Sequence, residues 1–570
     1  MEQTVDLLAA ASDWAAQDPD EHTRHELTEL LESARADDPA ALADLADRFG
    51  GVLAFGTAGL RAELGAGPMR MNRVVVLRTA AGIARYLIGQ AAGAYTPKVV
   101  IGFDARTNSD VFAEDSAAVF AAAGFEVLLM PSALPTPVLA WAVRRFEAEA
   151  GIMVTASHNP PRDNGYKVYT GGRVTDEAGR GAQIVSPVDA QIAELIDHTQ
   201  PVSDIARAES GWQVLPDDIA AHYLRDTQPV IPAAEGRTAT ARAALRIVLT
   251  AMHGVGGQTM ARALRNTGFT DLHLVAEQFE PDPLFPTVDF PNPEEPGAMD
   301  LALALADKVE ADLVIANDPD ADRCAAALLD RGRWRMLRGD EVGWLLGDHV
   351  AASLPKDRRL ANSIVSSRML AAIAKEHSLE HRETLTGFKW ISRVPSLGFG
   401  YEEALGYCVA PDVVRDKDGI SAALVLADIA ATLKAAGSSP VARLDELAAA
   451  HGVHVTDQLS LRFSELSLIP ALMDRLRTQP PKTLAGQQVN EIRDLSTGSD
   501  ELPATDALML FCTDGTRVII RPSGTEPKLK CYLESIEPAA SLEAVPEARD
   551  RARARCLKIK DELADFLATD

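Results

Sequence analysis

Cysteine is scarce: the chain has five in 570 residues. Cys324, Cys408, Cys512, Cys531 and Cys556 form no C-x-x-C pair and no zinc spacing. An odd, scattered set excludes a disulfide framework and points to reduced thiols in a cytoplasmic protein. Long apolar runs are lacking too. None approaches the ~20 residues that a membrane helix needs. The opening MEQTVDLLAAASDWAAQDPDEH is acidic and has no basic-then-apolar signal pattern. Basic charge is in short supply, with 56 Lys and Arg against 82 Asp and Glu and a net charge of −26. That excludes the extended basic surface a duplex nucleic acid requires, and it disfavours anionic membranes. A small anionic ligand remains compatible, because local charge can oppose global charge. What the chain does have is 47% hydrophobic and 24% charged residues, the balance of a soluble globular protein. Its length exceeds one core and implies about three to five domains.

Residues 1–50 carry Leu at helical spacing (Leu27, Leu30, Leu31, Leu42, Leu45) among Ala, Glu and Asp. They predict two or three amphipathic helices with a packing role. From Val74 the pattern becomes α/β. Residues 74–87 read as a strand or a helix start, 98–103 (KVVIGF) as a buried strand, 109–123 as a helix stopped by Gly124, and 126–130 as the next strand. The order restarts with a strand at 245–249, a helix at 259–266, a strand at 272–275, a proline- and acid-rich loop at 281–296, a helix at 298–309 and a strand at 312–316. It restarts again with a helix at 341–353, a strand at 360–365, a helix at 368–376 and a strand near 382–385. This repeated order predicts three similar α/β domains. The tail differs: 506–512 and 517–520 alternate around Asp514-Gly515, a hairpin signal, and 542–567 reads as helix. A last domain of α+β type follows.

Four loops carry chemistry. In IMVTASHNPPRDNGYKVY (152–169), a buried strand breaks into small polar residues and two prolines, so Ser157 is presented on a stiff loop. A serine so placed, with bases nearby, suits covalent phosphoryl or acyl chemistry. In NDPDADR (317–323), Asp318, Asp320 and Asp322 at i, i+2 and i+4 can converge on one hard cation, Mg²⁺ before Ca²⁺ or Mn²⁺. Three carboxylates so close repel one another unless something binds between them. An aspartyl-phosphate phosphatase also places D-x-D after a strand, but its D-x-D-x-[TV] pattern is not met, with Asp322 or Cys324 in its last place counted from Asp318 or Asp320. In GYEEALG (400–406), adjacent carboxylates between glycines offer acceptors for sugar hydroxyls. In RPSGTEPK (521–528), an Arg, two hydroxyls and an exposed glycine N–H make a phosphate grip, stiffened by two prolines. HGVGG (253–257) lacks G-x-G-x-x-G spacing and reads as a structural tight turn, not a dinucleotide loop.

Taken in order, TASHNP, DPDADR, EEALG and RPSGTEPK resemble the α-D-phosphohexomutase superfamily of phosphoglucomutases and phosphomannomutases, over most of the chain. FGTAGLR (55–61), GFDAR (102–106) and GYKVY (165–169) further resemble its phosphoglucomutase-2 and phosphopentomutase-like branch, which includes actinobacterial proteins labelled phosphomannomutase. The resemblance implies three similar α/β domains with mixed sheets and a C-terminal α+β domain of the TATA-box-binding-protein type around a central cleft. The expected boundaries are 1–210, 211–338, 339–452 and 453–570. It implies that Ser157 carries a phosphoryl group and that Asp318, Asp320 and Asp322, with an oxygen on Ser157, hold Mg²⁺. Lys167 would act in proton transfer, with Arg61 and His158 near the reacting phosphate. Glu402, Glu403, Lys389 and Arg323 would recognise the sugar. Arg521, Ser523, Gly524, Thr525 and Lys528 would hold the non-reacting phosphate. Many members carry Ser where this chain has Ala404, which reduces the hydroxyl-recognition set; Ala156 in place of Gly should matter little.

The implied activity interconverts sugar 1-phosphate and 6-phosphate, of glucose and mannose, through a bisphosphate. A sugar bisphosphate such as glucose 1,6-bisphosphate would serve as primer. Partners would be sugar phosphates, with the protein a monomer or weak homo-oligomer. Three readings compete with this one: a phosphopentomutase or sugar-bisphosphate synthase on the same scaffold, a metal-dependent phosphatase, and a non-catalytic sugar-phosphate sensor. A sensor would need only the phosphate grip, whereas Ser157, the Asp triad and Lys167 are all present.

Overall fold

The structure, a computed structural model, describes residues 2–53, 59–199, 201–463, 468–499, 502–523 and 528–568. It divides into two compact units. One contains the chain up to Leu329 together with Tyr407–Asp428; the other contains Asp330–Gly406 and the chain from Ile429 onward.

The first unit opens with three helices, Glu2–Gln17, Glu21–Arg35 and Pro39–Arg48. Asp20 and Asp38 cap the second and third by accepting from His22 N and Ala40 N, which satisfies donors that a helix start leaves over. Leu27, Leu31 and Leu45 form the buried face. The ambiguous stretch after Asn72 is the helix Arg73–Ala91. Its run of β-branched residues favours strand locally. Asn72 overrides that by accepting from Val75 N at 3.0 Å, and Val74, Val75, Val76 and Leu77 are all buried in the core.

The first sheet is built on Lys98–Phe103, flanked in parallel by Glu126–Leu129 on one side and Ala150–Val154 on the other. Asp163–Thr170 then pairs antiparallel with Ala150–Val154, and Leu60–Glu63 pairs antiparallel with Asp163–Thr170. The second sheet repeats this plan. Ile247–Thr250 is flanked in parallel by Leu272–Leu274 and Leu313–Ala316, and Ala325–Asp330 pairs antiparallel with Leu313–Ala316. Helices Ser109–Ala122, Thr136–Arg145, Gly256–Asn266 and Asp300–Val309 connect the strands. Ala150–Val154, Ile247–Thr250 and Leu313–Ala316 are buried at every position, as strands covered on both faces must be.

In the second unit, Arg359–Ser363 is flanked in parallel by Glu380–Thr384 and Leu397–Glu402, the same order of the first three strands. The chain closes in a six-stranded antiparallel sheet ordered Val453–Arg462, Lys528–Glu537, Arg517–Pro522, Leu508–Cys512, Gln487–Asp494, Thr483–Leu484. The expected turn at Asp514-Gly515 joins two of these strands, with Gly515 at φ 83°. Helix Val545–Ala568 lays Cys556, Ile559, Leu563 and Leu567 onto Leu510, Val518 and Leu533. Each large apolar side chain buried this way contributes roughly 1.5–3 kcal/mol.

The chemical loops occupy equivalent places. The serine loop leaves Ala150–Val154, the aspartate loop leaves Leu313–Ala316, and Glu403 follows Leu397–Glu402. Each starts at the carboxyl end of the third parallel strand of its sheet, where open α/β sheets bind ligands. Among the described residues, no single helix is long and apolar enough to cross a membrane.

Candidate active site

After Val154 the backbone turns sharply. Thr155 N donates to Gly165 O at 3.1 Å, and Ser157 N donates to Thr155 Oγ1 at 2.8 Å. Ser157 sits at φ 53°, a left-handed conformation that costs a non-glycine residue roughly 1–2 kcal/mol. Gly165 is required opposite it, since a Cβ there would stand 2.6 Å from both Leu60 O and Thr155 O. The sequence suggested an open loop. Ser157 is instead 1% exposed, because the aspartate loop lies over it. Its Oγ donates to Asp318 Oδ2 at 2.9 Å and lies 3.3 Å from His158 Nδ1. Arg61, on the paired edge strand, donates to Asn159 Oδ1 at 3.3 Å.

Asp318, Asp320 and Asp322 are fully buried and offer carboxylate oxygens within 4.8 Å of one another. Lys167 Nζ bridges Asp320 Oδ2 at 2.7 Å and Asp322 Oδ2 at 2.8 Å. Thr136 Oγ1 donates to Asp320 Oδ2 at 2.5 Å, and Arg323 N donates to Asp318 Oδ1 at 3.1 Å. The Arg323 guanidinium lies 3.9 Å from Asp318 and 3.8 Å from Asp322. HGVGG is a turn, as read, and it supports this loop from below. Val255 N donates to Pro319 O at 2.8 Å, and a Cβ on Gly254 would fall 2.3 Å from Pro319 Cα.

Sequence reasoning missed Lys417, whose Nζ lies 3.3 Å from Asp322 Oδ2. A signal was present in Asp416-Lys417-Asp418-Gly419, a charged run closed by glycine. A Cβ on Gly419 would stand 2.2 Å from Arg323 O and 2.8 Å from Ala321 O. Backbone cannot yield cheaply there, so Gly419→Ala should push the aspartate loop aside. We expect at least a tenfold loss in the midpoint of a divalent-cation titration followed by thermal melting, equivalent to about 1.4 kcal/mol and within the usual cost of overpacking. An unchanged midpoint would show that the loop does not depend on this contact.

Electrostatics separates the carboxylates. Burial, and then Asp320 and Asp322, push Asp318 well above the usual carboxylate range. Burial pushes both Asp320 and Asp322 upward, as the Asp322 charge does for Asp320, but Lys167 with Thr136 for Asp320, and Lys167 with Lys417 and Arg323 for Asp322, pull them below the usual range. Lys167 is held above its ordinary value, since Asp320 and Asp322 overcome its burial. Burial, followed by Arg323 and Arg61, drops His158 well below the ordinary imidazole value, leaving a neutral ring. Among the described residues, Asn317 Oδ1, Asp320 Oδ1 and Asp322 Oδ1 are buried without a hydrogen-bond donor. Orphaned buried oxygens are costly. An all-oxygen set of this kind can hold a hard divalent cation.

In the second unit, Glu403 Oε2 accepts from Ser363 Oγ at 3.0 Å and Ser366 Oγ at 2.9 Å, while Ser366 Oγ accepts from Glu403 N at 3.1 Å. Its carboxylate is therefore committed to two serines, and Glu402 ends its strand beside it, 8% exposed. Lys389 lies nearly buried on the short helix Phe388–Ile391. Ser523 N donates to Lys528 O at 2.7 Å, closing the loop that Arg521 opens. Gly524 and Thr525 lie outside the described residues, as do residues 55–58 of FGTAGLR. Burial and then Glu403 push the Tyr532 phenol upward, while Arg521 pulls it down. The first unit thus gathers Arg61, Ser157, His158, Lys167, Asp318, Asp320, Asp322 and Arg323. The second sets Glu402 at the end of its strand, Glu403 against Ser363 and Ser366, and Arg521 at the end of its own strand.

Comparison with known proteins yields four family matches: phosphoglucomutase/phosphomannomutase alpha/beta/alpha domain I at 52–201, domain II at 222–331, domain III at 338–450 and the C-terminal domain at 476–552. A protein of Haemophilus influenzae named probable phosphomannomutase is 47% identical, over 82% of this chain and 93% of its own. Mouse phosphopentomutase is 37% identical over 86% of this chain and 85% of its own. The human glucose 1,6-bisphosphate synthase is 32% identical over 93% and 90%. Parafusin (phosphoglucomutase) of Paramecium shares the fold, with a TM-score of 0.68 at 18% identity over 90% of this chain and 95% of that one.

Proposed function

Since the chain belongs to the phosphoglucomutase/phosphomannomutase family and is a phosphosugar mutase, we propose that its sugars are hexoses, glucose and mannose, and that Ser157 carries the phosphoryl group. The observation that carries this reading is the bond from Ser157 Oγ to Asp318 within the buried aspartate triad. In the reaction, the bond from phosphorus to Ser157 oxygen breaks as a bond to a sugar hydroxyl oxygen forms. The hydroxyl proton leaves to a neighbouring base, and the product is a sugar bisphosphate. Return of the other phosphoryl group to Ser157 completes the isomerisation.

Each side chain has a part in this. Ser157, Asp318, Asp320 and Asp322 would supply the oxygens for Mg²⁺, which when bound offsets charge on the phosphoryl oxygens. His158, neutral and 3.3 Å from Ser157 Oγ, can take a proton there. Lys167 and Arg61 bring positive charge to the phosphoryl group, and Lys167 is a second proton carrier. Glu402, with Glu403 fixed by two serines behind it, accepts from sugar hydroxyls, and Lys389 and Arg323 are donors to sugar oxygens. Arg521, Ser523, Gly524, Thr525 and Lys528 hold the phosphate that is not reacting. Boundaries near residues 210, 338 and 452 suit one chemical loop per domain.

A second reading, a phosphopentomutase, is favoured by Ala404, which brings no hydroxyl to the sugar loop, and by the mouse relative. Catalytic efficiency with glucose 1-phosphate, mannose 1-phosphate and ribose 1-phosphate separates the two, each assay primed with glucose 1,6-bisphosphate and Mg²⁺. A hexose preference above tenfold is expected. A ribose preference would move the protein to pentose chemistry, and inorganic phosphate as the main product would overturn the mutase mechanism.

A further inference from the structure

We propose that Arg106 is the positioning residue for Ser157, and that Phe285, on the 281–296 loop, holds Arg106 in place. The proposal rests on the phosphoserine reading above. Arg106 follows the strand Lys98–Phe103 and is 3% exposed. Its Nη2 donates to Ser157 O at 2.6 Å and Asn159 O at 2.5 Å; its Nη1 donates to Pro160 O at 2.7 Å and Asp163 O at 3.0 Å. One guanidinium therefore serves four carbonyls of the serine loop. The left-handed turn at Ser157 and the pair Pro160-Pro161 deny this loop the regular ladder that would otherwise satisfy them. A planar fork with five donors can do this in one place; an ammonium, with three donors and no plane, cannot.

The fork is itself held on two sides. Asp104 Oδ1 accepts from Arg106 N at 3.0 Å, and Asp104 Oδ2 lies 3.5 Å from Nε. The Phe285 ring lies under the guanidinium, 4.9 Å from its carbon. Phe285 is buried while its neighbour Leu284 is 70% exposed, and it takes a left-handed φ of 46° to point inward. Strain of this kind persists only where the surroundings enforce it. They do so through His253, whose O accepts from Asp282 N at 2.9 Å, while Asp282 O accepts from Phe285 N at 3.2 Å. His253 also opens the turn whose Val255 supports Pro319 in the aspartate loop. One turn of the second sheet therefore underlies both the triad and the buttress behind the serine, which ties the donor oxygen to the groups that must face it. Misplacing reacting atoms by about 1 Å can cost a hundredfold in rate.

The test is single-turnover labelling of Ser157 by radiolabelled glucose 1,6-bisphosphate in the full chain, with Ser157→Ala as blank and binding of the bisphosphate measured separately. Arg106→Lys keeps the charge and loses the fork. Labelling about a hundredfold slower, with unchanged bisphosphate affinity and a lower melting temperature, is expected. Labelling at the parent rate would overturn the proposal. Should Arg106→Lys fail to fold, Phe285→Leu decides: slower labelling with unchanged affinity supports the buttress, and parent-rate labelling overturns it. A parent protein that is not labelled on Ser157 at all would instead overturn the phosphoserine reading, and this proposal with it.

Discussion

Ser157→Ala abolishes mutase turnover, by at least about a thousandfold, while the protein still folds. The size follows from deleting the atom proposed to carry the phosphoryl group. The survival of the fold follows from the backbone. Alanine adopts the left-handed conformation of Ser157 at the same cost as serine, and no Cβ is added or lost. Asp318 loses one donor but keeps Arg323 N at 3.1 Å, so the stability change stays near 1 kcal/mol. Steady-state assay and circular dichroism together check this. Turnover within tenfold of the parent would remove Ser157 from the chemistry.

Lys167→Ala is expected to do the reverse and damage stability as well as rate. Lys167 is the ammonium bridging Asp320 and Asp322, and all three side chains are buried. Taking away one partner of a buried ion pair leaves uncompensated charge, which typically costs about 3–5 kcal/mol. Lys417 and Arg323 remain near Asp322, which keeps the loss toward the lower figure. A divalent cation seated among the carboxylates would replace the missing charge. Melting in chelator should therefore drop sharply, and added Mg²⁺ should restore more stability to the variant than to the parent. With Lys167 in its proposed role of proton carrier, its loss should lower turnover by at least about a hundredfold. A drop that Mg²⁺ leaves untouched would mean that the triad is not a cation site.

The two expectations differ because the sequence shows what a residue is and conceals what covers it. Lys98–Phe103, Ala150–Val154 and Leu313–Ala316 were legible because a strand buried on both faces writes itself as an unbroken apolar run. The sense of 74–87 was not, since three valines favour strand and the Asn72 cap and surrounding core decide otherwise. The aspartates were legible as a convergent set by their spacing alone. The burial of Ser157 was not, because its cover is Asp318, 161 residues further on. Arg106 and Lys417 were hidden for the same reason: each acts on a loop far away in the chain, and a lone cation in a sequence names no partner. Glu402 and Glu403 looked equivalent until Ser363 and Ser366 were found holding one of them.

The recurring corner at the end of each third strand has a consequence for how damage is distributed. Ser157, Ala321 and Leu405 each take a left-handed φ there, at 53°, 55° and 65°, so one kind of bend recurs three times. Ile101, Leu249 and Leu360 lie fully buried in the central strands of the three sheets. On the proposed roles, a flaw at the first would blunt the phosphoryl carrier, one at the second the cation seat, and one at the third the hydroxyl reader. Inherited variation in such a chain would sort by symptom: the sheet that fails names the task that is lost.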